Sequence, residues 1–342
     1  MGSLSDSAPN TLIEKGLIMN KAIVIHQHGD SSVLQWQEFA LPPLKQGDVL
    51  VRNTVAGFNM IDTYMRKGLY PVKFPAVMGV EGAGVVEEVG AGVTGLSIGD
   101  RVVYLGGGTG SYSEHSVVAA TRLVVIPEDI SDEIAAASYL KGLTVWALLN
   151  GSYKVMPGDN VLIYAAAGGV GSLMCQWAKK IGAHVIGIVG SNEKVALAKS
   201  YGCDEVINRS TQDILPTVKT LTRGEGVQVV YDSLGADTFE TSLDCLAPLG
   251  TMVSFGNATG AVPPFSILTL AAKGSLKLVR PQVHAYIAKR ADLEHASATL
   301  FNMISTGDLR VEITQRFPVS QAAKAHDTVE SQQTTGATVL IV

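Results

Sequence analysis

The sequence predicts a two-domain α/β protein, in which a doubly wound parallel sheet with helices on both faces is joined to an irregular β-barrel-like domain. Three observations lead there. At 342 residues the chain exceeds what one hydrophobic core usually serves, which favours two domains. Between Lys21 and about Lys141 short β-type runs are separated by Gly, Pro and Asp. Beyond Lys141 buried-strand runs alternate with amphipathic helical spacings, the pattern of a parallel sheet with crossover helices.

In the first region the β-type runs fall at 22–26, 48–55, 83–89, 101–105, 113–118 and 123–126. In the second, 160–165 is a buried-strand run. The segment after it sets Val170, Leu173, Met174, Trp177, Ala178 and Ile181 at i, i+3, i+4 spacing and stops at Gly182, as an amphipathic helix with a glycine end does. Strands at 184–189, 205–207, 227–231 and 251–255 then alternate with helices at 192–201, 213–221 and 238–245. From about Pro281 onward the chain reads as helices followed by a strand at 337–342, and periodicity alone assigns this stretch to neither domain.

Composition bounds the function. With 46% apolar and 17% charged residues the chain is globular. Its net charge of -5 supplies no general positive field for a phosphate backbone, so nucleic acid is not the expected partner. The three cysteines, Cys175, Cys203 and Cys245, have neither metal-cluster nor disulfide-framework spacing. A reduced, cytoplasmic protein is expected. Residues 1–18 are polar and lack the apolar core of a signal peptide, and Asp6 stands where a myristoylation motif needs Ser or Thr. They read as a flexible extension, with the first strand starting at Met19. No apolar stretch is long enough to span a membrane.

Chemistry enters at Tyr164-Ala165-Ala166-Ala167-Gly168-Gly169-Val170-Gly171. Set between a strand and an amphipathic helix, such a turn lets backbone approach a pyrophosphate closely and aims the free N–H groups of a helix N-terminus at it. Against GxGxxG, Ala166 takes the first glycine's place, while Gly168 and Gly171 fill the second and third. With 36 glycines in the chain, the strand, helix and following βα units carry the reading more than the glycines do. Cofactor-contacting positions are Ala167, Gly168, Gly169, Val170 and Gly171.

The end of the next strand reads Ile188-Val189-Gly190-Ser191-Asn192, without the acid that usually holds the ribose hydroxyls of NAD. A 2'-phosphate would not be repelled there. Gly190 permits close approach, Ser191 offers a hydrogen bond, and Lys194 and Arg209 offer positive charge. The cofactor expected is NADPH.

At this point the sequence resembles the quinone oxidoreductase (zeta-crystallin-like) branch of the medium-chain dehydrogenase/reductase superfamily. The resemblance rests on Gly158-Asp159, Leu162, Ala166-Ala167-Gly168-Gly169, Gly171, Gln176 and Lys179. Supporting matches are Gly57-Phe58-Asn59-Met60-Ile61-Asp62-Thr63-Tyr64, Gly68-Leu69-Tyr70-Pro71, Lys141-Gly142-Leu143-Thr144, Tyr231-Asp232-Ser233-Leu234-Gly235, Phe255-Gly256-Asn257 and Arg280-Pro281. It implies a GroES-like catalytic domain from 19–143 and 281–342, a Rossmann NADPH-binding domain at 144–280, and a homodimer joined through the nucleotide domains.

It also implies zinc independence. Where zinc-dependent relatives need Cys, a Gly-His-Glu turn and a third thiolate, this chain has Asn59 and Asp62, Gly79-Val80-Glu81, and Lys141-Gly142-Leu143. Without a Lewis acid, alcohol oxidation is disfavoured, and a quinone or conjugated carbonyl becomes the expected hydride acceptor. The implied catalytic residues are Asn59, Tyr64 and Tyr70, with Asn59 and Tyr64 as hydrogen-bond donors to a quinone oxygen. Cofactor contacts beyond the turn are Asn59 again, with Thr144, Ser233, Leu234, Phe255, Gly256 and Asn257. Asp62 is expected to order its own loop. Two positions depart from the branch: Gln332 replaces an Arg of the Glu-Ser-Arg turn, and Arg209 replaces a Tyr. The alternatives are a 2-alkenal or enone reductase with the same cofactor pose, and a non-catalytic NADPH-binding crystallin-like or RNA-associated protein.

Overall fold

The structure, a computed structural model, describes residues 13–14, 17–106 and 110–342. Along the first part run β1 (Ile13–Glu14), β2 (Leu17–Ile25), β3 (Gln35–Ala40), β4 (Asp48–Gly57), helix α1 (Met60–Lys67), β5 (Ala76–Val77), β6 (Glu81–Val89), β7 (Arg101–Leu105), β8 (His115–Ala119), β9 (Leu123–Val125) and helix α2 (Asp132–Ala147). Next come β10 (Asn160–Ile163), α3 (Gly169–Ile181), β11 (His184–Val189), α4 (Glu193–Ser200), β12 (Glu205–Asn208), α5 (Ile214–Leu221), β13 (Val227–Asp232), α6 (Phe239–Asp244), β14 (Leu246–Ser254), α7 (Leu268–Ala272) and β15 (Lys277–Val279). The chain closes with α8 (Val283–Tyr286), α9 (Arg290–Ser305), β16 (Ile313–Pro318), α10 (Ala322–Glu330) and β17 (Ala337–Ile341). Of the expected 1–18 extension, residues 1–12 and 15–16 lie outside the described residues. Ile13 and Glu14 pair with Ile18 and Leu17.

Six parallel strands form one sheet in the order β12-β11-β10-β13-β14-β15. Helices cover both faces, so β10 buries Val161, Leu162 and Ile163 alike, as β13 does Val229, Val230 and Tyr231. That explains why these strands read as unbroken apolar runs. Strand order reverses on either side of β10, and a crevice opens beyond the carboxyl ends of β10 and β13 at that switch point.

The barrel-like part holds a seven-stranded sheet, β16-β17-β4-β6-β7-β9 with β8 also on β4, and a smaller sheet of β1, β2, β3 and β5. The C-terminal stretch that periodicity left unassigned joins this part. β17 pairs antiparallel with β4, matching Val339 with Gly57. Upstream, Tyr139 of α2 stacks on Phe301 of α9 at 5.9 Å and shares a 2.9 Å hydrogen bond with Ser297.

Helix α2 corrects the reading of the region before Lys141 as short β-type runs only. Ser131 caps it by accepting from the Ile134 N–H at 3.2 Å, and Asp132 and Glu133 complement its first turn. It escaped the periodicity because it has no polar face. Ala135, Ala136, Ala137, Tyr139, Leu143 and Val145 are all buried, and a helix enclosed on every side shows no amphipathic stripe. One hydrophobic core runs through it from β6 and β7 to β10, α3 and α9. Residues 60–67 are likewise helix rather than loop. Strands β3, β15 and β16 were not anticipated, and β14 begins at Leu246, ahead of the expected 251–255 run.

Candidate active site

The glycine turn sits at the switch point. Ala165 takes the left-handed conformation, at φ 52°, that the turn needs. Ala166, in the first glycine's place, has its N–H bonded to Ile188 O at 3.0 Å and is fully buried. A glycine faces it across the sheet: a methyl on Gly187 would lie 2.9 Å from the Ala166 methyl. Gly171 admits no side chain, since its Cβ would sit 2.1 Å from Ala165 O. Gly168 precedes α3 with extended backbone, and its Cβ would meet only Ala165, at 3.2 Å. The turn is also tied to the barrel-like part, because Gly336 N, just before β17, donates to Ala167 O at 3.2 Å.

From this turn a cavity of about 1470 Å³ extends between the two sheet systems. It gathers Asn59, Tyr64, Tyr70, Thr144, Ala167, Gly168, Gly169, Val170, Gly171, Gly190, Lys194, Arg209, Ser233, Leu234, Phe255, Gly256 and Asn257. Ser191 is the one expected contact that does not line it, and its hydroxyl serves Glu193 instead, holding that carboxyl below its ordinary value.

The far wall is made of strand ends. Buried Asp232, at the end of β13, accepts from Leu234 N at 2.7 Å and Gly235 N at 3.1 Å through one oxygen, and from Thr238 and Ser242 hydroxyls through the other. That fixes Ser233 and Leu234 against the cleft. Gly256 packs so closely that a Cβ would lie 2.2 Å from Ser233 O. Arg280 then donates to Ser254 O and Gly256 O, both at 3.0 Å, and to the Tyr70 hydroxyl at 3.3 Å.

Opposite stands α1. Tyr64 and Tyr70 meet edge to face with ring centroids 5.9 Å apart. The Tyr64 hydroxyl accepts from Asn257 N at 3.1 Å, and burial pushes its phenol above the ordinary value. Each tyrosine thus accepts across the cleft, Tyr64 from Asn257 N and Tyr70 from Arg280 and more distantly from the Asn257 side chain at 3.5 Å, while its own proton remains available.

At the floor, Asn59 caps α1 only through its main chain, donating N–H to Asp62 Oδ2 at 2.9 Å. Its amide nitrogen donates to Glu81 Oε2 at 2.7 Å and Gly57 O at 3.3 Å, and its oxygen accepts from Lys141 at 3.0 Å. Both amide hydrogens are therefore engaged. Glu81, wholly buried, also accepts from Leu140 N, and burial raises its carboxyl despite Lys141 beside it. Asp62 accepts from Tyr112 at 3.0 Å as well, while its Oδ1 has no partner among the described residues and burial pushes the carboxyl up to about 7.

Sequence reading missed Lys141, Glu81, Asp232 and Arg280 as builders of the site. A signal existed for the first: Lys141 is the lone charge in α2 beyond the acidic first turn. At the other end of the cleft Lys194 donates to Gln332 O at 2.7 Å, and burial lowers its ammonium. Arg209 lines the cavity with no hydrogen bond or ion pair from its guanidinium among the described residues. Also among the described residues, no three His, Cys, Asp or Glu side chains gather as a metal site would need, and no helix is long and apolar enough to cross a membrane.

Residues 45–128 match the alcohol dehydrogenase GroES-like domain, and residues 169–288 match the zinc-binding dehydrogenase family. The chain is 44% identical over 326 residues to quinone oxidoreductase 1 of Escherichia coli, covering 94% of this chain and 100% of that one. It is 41% identical over 330 residues to a 2-haloacrylate reductase of Burkholderia, covering 94% and 99%. The crystal structure of the Escherichia coli quinone oxidoreductase complexed with NADPH superposes with a TM-score of 0.92 at 44% identity, over 94% of this chain and 100% of that one.

Proposed function

The chain belongs to the quinone oxidoreductase branch of the medium-chain dehydrogenase/reductase superfamily, and from that premise we propose that it is an NADPH-dependent reductase passing reducing equivalents to a quinone. One observation carries the reading: the Gly171–Ala165 turn, too tight for any side chain, opens directly into a cleft floored by Asn59 and walled by Tyr64 and Tyr70.

NADPH fits the residues present. Gly171 leaves room only for backbone, β11 ends without an acid, and the Arg209 guanidinium, unpartnered among the described residues, suits a 2'-phosphate. When bound, NADPH supplies the hydride. Ala167 to Gly171 hold the pyrophosphate, Gly190, Lys194 and Arg209 hold the adenosine end, and Thr144, Ser233, Leu234, Phe255, Gly256 and Asn257 position the nicotinamide. Tyr64 and Tyr70 donate their free hydroxyl protons toward the acceptor oxygen. Asn59, its amide hydrogens engaged, orders the floor. Orientation and exclusion of water are the main contributions of the protein.

The reaction is assigned without zinc, on the chemistry of the donor set: Val80 cannot ligate, and Asn59 and Lys141 stand where thiolates would be needed. The domains are assigned as 19–143 with 281–342, and 144–280. A homodimer is supported by β15, an open edge of the parallel sheet, and by Ile267 and Leu268 just before it, 77% and 73% exposed. A cytoplasmic site is supported by three cysteines without disulfide spacing.

A second reading, reduction of an activated alkene by the same cofactor pose, is favoured by the 2-haloacrylate reductase relative. Titration with NADPH and NADH, followed by steady-state rates on 1,4-benzoquinone, 9,10-phenanthrenequinone and 2-alkenals, tests both. Turnover of alkenals without quinones would replace the first reading with the second, and failure to bind either dinucleotide would end both.

A further inference from the structure

We infer that the Lys141 ammonium is the catalytic cation of the cleft, stabilising the negative charge that develops on the acceptor oxygen as the hydride arrives. The inference rests on the quinone reductase reading above.

Lys141 is 6% exposed, on the inner face of α2, and lines the cavity. Its nitrogen has acceptors around it: Phe58 O at 3.0 Å, Asn59 Oδ1 at 3.0 Å and Glu81 Oε2 at 3.7 Å. The last distance is too long for a good hydrogen bond, so the third N–H is left for the cleft. The position is costly. A buried ion pair seldom improves on apolar packing, and α2 otherwise buries alanine, leucine, valine and tyrosine here. The stem also crosses the start of α3, where a Cβ on Gly169 would lie 3.1 Å from Lys141 Cε. That end of a helix carries positive charge and disfavours a cation. A charge held against desolvation and against a helix dipole, at the floor of a reactive cleft, marks function.

The surrounding groups position it. Glu81 binds the Asn59 amide nitrogen, which turns the Asn59 oxygen toward Lys141. Hydride addition to a quinone leaves one negative charge on the acceptor oxygen, which solvent or a tyrosine hydroxyl later protonates. The ammonium stabilises that charge while making and breaking no covalent bond of its own.

The test uses Lys141→Met and the double variant Lys141→Met/Glu81→Gln, which removes both buried charges so that the fold is not left with an unpaired carboxylate. Acceptors are substituted benzoquinones running from electron-poor to electron-rich. Expected for both variants are NADPH affinity within about threefold of wild type and kcat reduced roughly 10²-fold. The loss should be greatest for electron-rich quinones, and a larger isotope effect is expected with 4-deuterated NADPH. In the wild type, log kcat should depend less steeply on quinone potential than reduction of the same series by free NADPH does. A double variant with kcat near wild type, a uniform loss that follows weakened NADPH binding, or a wild-type slope equal to the uncatalysed one each overturns the role of Lys141. Wild type without quinone turnover overturns the functional reading instead.

Discussion

The main-chain N–H of Asn257 donates to the hydroxyl of Tyr64 at 3.1 Å, joining the end of β14 to α1 across the cleft. Removing that hydroxyl leaves an unpaired N–H and frees the acceptor pocket's wall. Tyr64→Phe is expected to raise KM for the quinone and lower kcat about tenfold, the magnitude of one neutral hydrogen bond of about 1.4 kcal/mol. NADPH affinity should hold. Tyr70→Phe, which releases only long contacts, from Arg280 at 3.3 Å and the Asn257 side chain at 3.5 Å, should act more weakly. Equal effects on NADPH and quinone would show that the tyrosine supports the fold instead.

Asp62 gives the molecule a pH signature. Its carboxyl is fully buried and titrates at about 7 when folded, against roughly 3.9 in an unfolded chain. Between these values the folded state keeps a proton that the unfolded state has lost, so stability falls as pH rises and levels off above about 7. The span corresponds to roughly 4 kcal/mol as an upper order of magnitude. Asp62→Asn, neutral throughout, should gain thermal stability relative to wild type as pH is raised from about 5 to about 8. Glu81 shifts in the same direction but is common to both proteins. Parallel Tm curves for the two would refute the assignment.

The residues that announced themselves in the sequence share a local signature. Helix α3 alternates apolar and polar positions because one face meets the sheet, and the turn before it concentrates glycine where Ala165 O leaves no room. Helix α2 was silent because burial on all sides erases period. At the floor of the site the resemblance named Asn59, but the bonds that fix it were silent for another reason. Asn59, Glu81 and Lys141 are brought together by β4, β6 and α2 from widely separated places in the chain, and no spacing rule records a contact of that kind. The same holds for Lys194 and Gln332, 138 positions apart.

Two glycines of one turn should separate folding from cofactor binding. Gly171→Ala drives a methyl to 2.1 Å from Ala165 O, which backbone must relieve, at a cost of about 3 kcal/mol. Lower Tm and loss of NADPH binding are expected together. Gly168 has backbone angles that alanine adopts, and its Cβ meets protein only at 3.2 Å. Gly168→Ala should lower Tm far less than Gly171→Ala while weakening NADPH roughly tenfold, because the methyl occupies space that the pyrophosphate needs. Thermal melts beside fluorescence titrations decide it, and tight NADPH binding by Gly168→Ala would move the pyrophosphate elsewhere.

Arg209 and Gln332 both line the cleft, Arg209 following β12 and Gln332 following α10. The Arg209 guanidinium makes no hydrogen bond or ion pair among the described residues, so its removal breaks none. A charge-assisted bond to a phosphate contributes about 1.5–3 kcal/mol. Arg209→Ser should therefore weaken NADPH at least tenfold while leaving NADH unchanged. Lys194→Ala should do so less cleanly, since it also releases Gln332 O. Conversely, Gln332→Arg adds a second guanidinium to the cleft lining beside Lys194 and should tighten NADPH, with a steeper loss of affinity as salt is added. Titrations of both dinucleotides at two ionic strengths measure all three. If Arg209→Ser weakens NADH and NADPH alike, its side chain supports the binding surface generally and the discrimination between the two cofactors lies in the missing acid alone.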